Sequence, residues 1–189
     1  MNAATLLTQA RHAGQLTQAA LARAAGIPQP SIARTERARR DLHVSTLERL
    51  VHAAGCQLAV LPSTRATAAG TADAVRHAID RHDEDTAYRI VIQLADDLAR
   101  ETGAERVALC VTPPPPTGDV RFDAFIAGVV EHRLGQSRLP IPKWLANAAR
   151  LSVDWHVDPS APDDATAEAT PRALRARGVI VADAELASA

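Results

Sequence analysis

Apolar residues recur with a helical period along most of the chain, and its first third breaks into four short amphipathic runs. Leu6, Leu7 and Ala10 share one face of the segment from Ala3 to His12, which predicts a helix ending near Ala13 and Gly14. Thr17 is placed to cap the next helix, because its hydroxyl can accept from the free amides of the first turn. Ala20, Leu21, Ala24 and Ala25 form that helix's inner stripe, and Gly26 closes it. Ile27 fills the turn as a core plug. Pro30, lacking an amide hydrogen, fits only the first turn of a following helix, which should run from Pro30 to about Ala38. Ser45 and Glu48 have capping-box spacing just before the apolar run Leu47, Leu50, Val51 and Ala54, and Gly55 stops that last helix.

The pattern pauses from Pro62 to Gly70, a small, polar stretch without periodicity, and residues 63–70 read as a linker. It resumes with Ala74, Ala78 and Ile79 in a helix from Thr71 to about His82, after which Asp83, Glu84 and Asp85 offer caps for a new N-terminus. Ala87, Ile90, Val91, Leu94, Ala95 and Leu98 then give the clearest helical stripe in the chain. Ala104 to Val111 reads as a helix end followed by a buried extended piece, closed by four prolines. Helical spacing returns from Phe122 to His132. Leu139 to Lys143 is a proline-rich turn, and Trp144 to Leu151 a short helix. Pro159 to Thr170, acidic and small, reads as a loop; Pro171 to Arg177 and Asp183 to Ser188 read as short helices flanking Gly178 to Val181. The expected fold is mostly α, with a four- to five-helix N-terminal domain at 1–62 and a mainly helical domain at 71–189.

Charge sharpens this division. Residues 1–62 hold seven arginines against Glu36, Asp41 and Glu48, a formal +4, whereas the other 127 residues carry −5 within a total of −1. A small basic module on an acidic body keeps a local field attractive to polyanions while discouraging indiscriminate binding. Four of those arginines fall at 34, 37, 39 and 40, where the third helix ends.

The pattern of Thr17-Gln18, Leu21-Ala22, Gly26-Ile27, Gln29, Ser31-Ile32, Arg34, Glu36-Arg37 and the trailing Leu47, Leu50 and Gly55 resembles the helix-turn-helix of lambda-repressor, Cro and Xre-like regulators. It departs from that pattern at Ala33, where a polar residue is usual, at Thr35, where an apolar one is, and at Ala38, where glycine is. The resemblance implies that Gln29, Ser31 and Arg34 face base edges of double-stranded DNA, while Gln18, Arg37, Arg39 and Arg40 lie near phosphates. The chemistry suits those roles: Arg pairs with guanine and Gln with adenine through two parallel hydrogen bonds, each worth about 1–3 kcal/mol of discrimination. Phosphate contacts set register and carry the salt dependence. Glu36 has two open readings, a buttress for an arginine within the domain or a solvated acid. A helix-turn-helix of this size contacts few bases, so a homodimer on a palindrome is expected.

The second part resembles a C-terminal region attached to similar regulators of actinobacterial type, through Pro114-Pro115-Pro116-Thr117-Gly118, Phe122-Asp123-Ala124, Leu139-Pro140-Ile141-Pro142-Lys143-Trp144 and Thr170-Pro171-Arg172-Ala173-Leu174 continuing to Val179. Some of those relatives resemble the antitoxin half of toxin–antitoxin pairs, which implies a protein partner bound through 71–189 and repression of the protein's own operon. Trp144 and Trp155 anchor the second core on this reading, or else form a partner-contact or ligand surface. Two alternatives stand beside it: an interaction module using the helix-turn-helix for docking, and a ligand-responsive regulator.

Catalysis finds little footing in the sequence. The seven histidines show no HExxH or three-ligand metal spacing, His77 and His82 do not share a helix face, and Cys110 with His132 does not by itself make a dyad. Asp123, Glu131, Asp154 and Asp158 read as surface groups or caps. No Walker or GxGxxG loop is present, so no cofactor is expected. Cys56 and Cys110 read as reduced, buried thiols, and with no membrane-length apolar run or signal-like start the expected location is cytoplasmic.

Overall fold

A computed structural model describes residues 3–37, 42–60, 63–158 and 163–187, with the backbone alone for 163–165. The chain divides into two compact units, Met1–Leu61 and Pro62–Ala189. Both are built mainly from helices.

In the first unit, α1 (Ala3–Ala13), α2 (Gln18–Ala25), α3 (Gln29–Arg37) and α4 (Val44–Ala53) surround one apolar core. Leu7, Leu21, Ile32, Leu47, Leu50 and Val51 fill it, with Leu16, Ile27 and Leu42 packed against its rim. The Thr17 hydroxyl accepts from Ala20 N–H at 3.1 Å, as the capping argument requires. Gly26 ends α2 at φ 66°, a left-handed conformation open to glycine at little cost, and its turn leads directly into α3. Pro30 lies within the first turn of α3. The expected Ser45–Glu48 capping box is not formed. Helix α4 instead begins at Val44 behind His43, whose side chain makes no capping bond, so Ser45 already lies inside the helix.

The second unit contains α5 (Ala68–Ile79), α6 (Glu84–Arg100), α7 (Gly103–Cys110), α8 (Val120–Gln136), α9 (Asp163–Ala169) and α10 (Arg172–Arg175), with 3-10 turns at Lys143–Asn147 and Asp183–Leu186. Helix α5 starts inside the stretch expected to be a linker, capped by Thr67, whose hydroxyl accepts from Gly70 N–H. Ahead of it, Ser63 donates to Glu101 at 2.7 Å and Arg65 to Asp97 at 3.2 Å. Residues 63–70 therefore belong to the second unit through polar contacts, which hydropathy does not reveal.

Asp83 caps α6 by accepting from Thr86 N–H. Three expectations are corrected: α7 is a full helix through Cys110 without an extended piece, the 144–151 helix is a shorter 3-10 turn, and 163–169 is helical rather than loop. Two two-residue strands, β1 (Trp155–His156) and β2 (Val179–Ile180), pair in parallel.

Helix α8 is the axis of this core: Phe122, Phe125, Ile126, Val129, Val130 and Leu134 are all buried. Four of the chain's five aromatic residues gather at its start. Trp155 meets Phe122 and Phe125 edge to face at centroid distances of 5.3 and 6.0 Å, and Tyr88 stacks on Phe125. Three buried arginines hold the rest together through main-chain carbonyls. Arg106 donates to Ala99, Glu101 and Arg133, Arg133 to Ala95 and Leu186, and Arg177 to Leu145 and Ala149. Each guanidinium thereby links main-chain carbonyls from different segments of the unit. Arg177 also pairs with Glu131 at 2.6 Å.

Candidate nucleic-acid interface

Helix α3 turns Ile32 and Ala33 into the core. With helical spacing, Pro30, Arg34 and Arg37 then fall on the outer side, where all three are exposed, and Ser31 beside them is half-buried. Arg34 and Arg37 stand one turn apart on a solvent-facing surface, with no described acid bonded to either. Arg39 and Arg40, expected near phosphates, lie outside the described residues, as does Ala38.

Glu36 points the other way, and of its two readings the structure selects the buttress. Arg11 Nε donates to Glu36 Oε1 at 2.7 Å and Arg11 Nη2 to Oε2 at 3.1 Å, while Gln18 Nε2 donates to Oε2 at 2.8 Å. The bidentate fork joins α1 to the end of α3, and Gln18 adds α2. Only 14% of the Arg11 side chain and 7% of the Glu36 side chain remain exposed. Arg11 also donates to Leu16 O at 3.1 Å, closing the α1–α2 turn. Beside it, His12 is held below its ordinary pKa by burial first and by the Arg11 charge second.

The chain of bonds continues to the start of α3. Gln29 Nε2 donates to Gln18 Oε1 at 3.3 Å. Gln18 thus spans Gln29 and Glu36, orienting the first residue of α3 rather than lying loose on the surface. Among the described residues, one N–H and the carboxamide oxygen of Gln29 take no partner, the donor–acceptor pair that adenine's major-groove edge requires.

Sequence reasoning missed Arg11 as a positioning residue. The available signal was an acid, Glu36, set within an arginine-rich helix and needing a partner from elsewhere in the domain.

Trp144 and Trp155 lie in the second unit and are not brought together with these groups by any described bond. Both are half-buried. Trp144 Nε1 donates to Cys110 O at 2.9 Å, and Arg121 sits over the Trp155 ring at 5.3 Å. His132 lies 2.9 Å from Asp183 rather than joining Cys110 in a dyad, and burial pushes the Cys110 thiol up to about 12. Among the described residues no group of three or more His, Cys, Asp or Glu is arranged to hold a metal ion. Nor is any described helix long and apolar enough to cross a membrane.

Two short helices joined by a glycine turn, with the second helix braced from behind and basic in front, define a helix-turn-helix domain. Residues 3–63 match the family described as a helix-turn-helix domain, a match covering the first third of the chain and supporting DNA as its partner. Comparison with curated proteins and with solved structures gives no match.

Proposed function

We propose that the protein is a sequence-specific DNA-binding transcriptional regulator that represses its own operon, with residues 1–62 reading DNA and residues 71–189 binding a partner. The observation that carries this reading is the recognition helix α3, braced by Arg11, Glu36 and Gln18 on its inner side and presenting Arg34 and Arg37 outward. Gln29, Ser31 and Arg34 read base edges, and Gln18, Arg37, Arg39 and Arg40 approach phosphates. Gln18 does so while holding Gln29, so one side chain couples register on the backbone to base readout.

The active form is a homodimer on a palindromic site, because one such helix reads too few bases for operator specificity. The antitoxin-like character of the second unit's sequence supports a toxin as its partner, held through a surface that includes Trp144 and Trp155. Binding of that partner changes operator occupancy.

Fluorescence anisotropy with the full chain, using the duplex upstream of its own gene and a scrambled duplex across a salt series, tests the reading. A preference of roughly 10³-fold or more, with affinity falling steeply in salt, is expected. Equal, weak binding to both duplexes would sink it and favour a docking role for the domain.

A further inference from the structure

The second unit contains a cleft of about 270 Å3 that the DNA-binding reading does not use. It is lined by the proline run 113–116, by Trp144 and Asn147, and by Ile126 and Asp123 of α8. Its charged lining group is a carboxylate, and no Lys, Arg or His is among the residues that line it. Consecutive prolines hold φ fixed and restrict the ψ of each residue that precedes another proline, and the Trp144 ring is anchored by its indole bond to Cys110 O. The walls are therefore set before anything binds, which lowers the entropic cost of binding.

The acid is positioned too. Asp123 Oδ1 accepts from Thr117 N–H at 2.8 Å, and the fully buried Thr117 is itself fixed because its hydroxyl donates to Asp119 O at 2.9 Å. Asp123 Oδ2 accepts from no described residue. The cleft thus combines apolar proline walls, an indole, one half-committed carboxylate and a carboxamide. Its net charge is negative and its aromatic group attracts positive charge, so a small organic cation with an apolar body complements it better than an anion or a neutral solute.

We infer that this cleft is a binding site for a small organic ammonium ion, its charged head at Asp123 and Trp144 and its apolar body along the proline wall. The site shares Trp144 with the proposed partner surface but no residue with the DNA-reading helix, so failure of amine binding leaves the DNA-binding reading standing, and loss of operator preference leaves the cleft standing.

The test is a titration of the isotopically labelled full chain with phenethylamine, followed by NMR at the Trp144 indole N–H, with 2-phenylethanol as the uncharged probe of similar shape. Saturable shifts at Trp144 with a Kd on the order of 1 mM are expected for the amine, a fragment-scale affinity. The alcohol should bind about tenfold more weakly, for want of the charge-assisted and cation–π contacts. Asp123→Asn keeps the acceptor for Thr117 and should weaken the amine by about the same factor. Equal affinities for the two probes, no saturable shift at Trp144, or an unchanged amine affinity in folded Asp123→Asn would each overturn the assignment. Should that variant fail to fold, the amine-to-alcohol comparison on the unaltered protein decides alone.

Discussion

Arg11 and Glu36, twenty-five residues apart, form a two-pronged ion pair with nitrogen–oxygen distances of 2.7 and 3.1 Å that ties the first helix to the end of the recognition helix. The pair is largely out of water, so removing one partner strands a buried charge. Arg11→Ala or Glu36→Ala should destabilise the first unit by about 3 kcal/mol. Both tryptophans belong to the second unit, so a probe inside the first unit is the direct readout. Native-state hydrogen exchange at Leu7, Leu21 and Ile32 supplies it. Unchanged protection in both variants would show that the pair contributes no net stability.

Arg34 and Arg37 share an exposed surface but are assigned different work. Arg34→Ala should cost about 1–3 kcal/mol on the preferred duplex and little on a scrambled one, because a base contact is lost. Arg37→Ala should weaken both duplexes and reduce the salt slope by about one, because a phosphate contact is lost. Anisotropy titrations at several salt concentrations separate the two. Identical losses on both duplexes for both variants would remove Arg34 from base readout.

Much of the first unit was legible because its signals are local. Thr17, Gly26, Ile32 and Gly55 act on residues within a turn or two of themselves, and periodicity carries the rest. The Glu36 alternatives could not be separated in sequence, since choosing between them needs Arg11 from another helix. In the second unit the long stripe of α6 was plain, but nothing in the sequence marked Arg106, Arg133 and Arg177 as buried groups that brace the core. Most of their partners are main-chain carbonyls, which carry no sequence signature, and Arg133 reaches Leu186 fifty-three residues away. The paired strands at Trp155–His156 and Val179–Ile180 are too short to show an alternating pattern. The inner bond from Gln18 to Glu36 was likewise hidden, so sequence alone showed Gln18 only as a phosphate contact.

Gly14 and Gly26 are both turn glycines, yet they answer to different constraints. A Cβ on Gly14 would overlap the carbonyl oxygen of Ala54, a backbone atom that cannot swing aside. A Cβ on Gly26 would meet nothing within 4 Å but would have to accept φ 66°. Gly14→Ala should therefore cost about 1–3 kcal/mol through overpacking, and Gly26→Ala about 1–2 kcal/mol through backbone strain. Hydrogen exchange at Leu50 and Val51 reads the first. Unchanged protection at Leu50 and Val51 in Gly14→Ala would show that α4 gives way to the added methyl.

His132 makes the second unit sensitive to mild acid. Its side chain is 14% exposed and lies 2.9 Å from Asp183. Burial lowers its pKa most, Arg133 lowers it further, and Asp183 opposes both without reversing the shift. The folded state therefore binds this proton less readily than the unfolded chain does. The associated stability is present above the unfolded value of about 6.5 and is lost as pH falls below it. Tryptophan-detected melting of the full chain should show Tm falling between about pH 7.5 and about pH 5.5, and His132→Gln, which cannot titrate, should flatten that fall. Trp144 and Trp155 both lie in the second unit with His132, and the His132→Gln comparison separates its contribution from that of His12 in the first. A pH dependence equally steep in His132→Gln would place the sensitive group elsewhere in the unit.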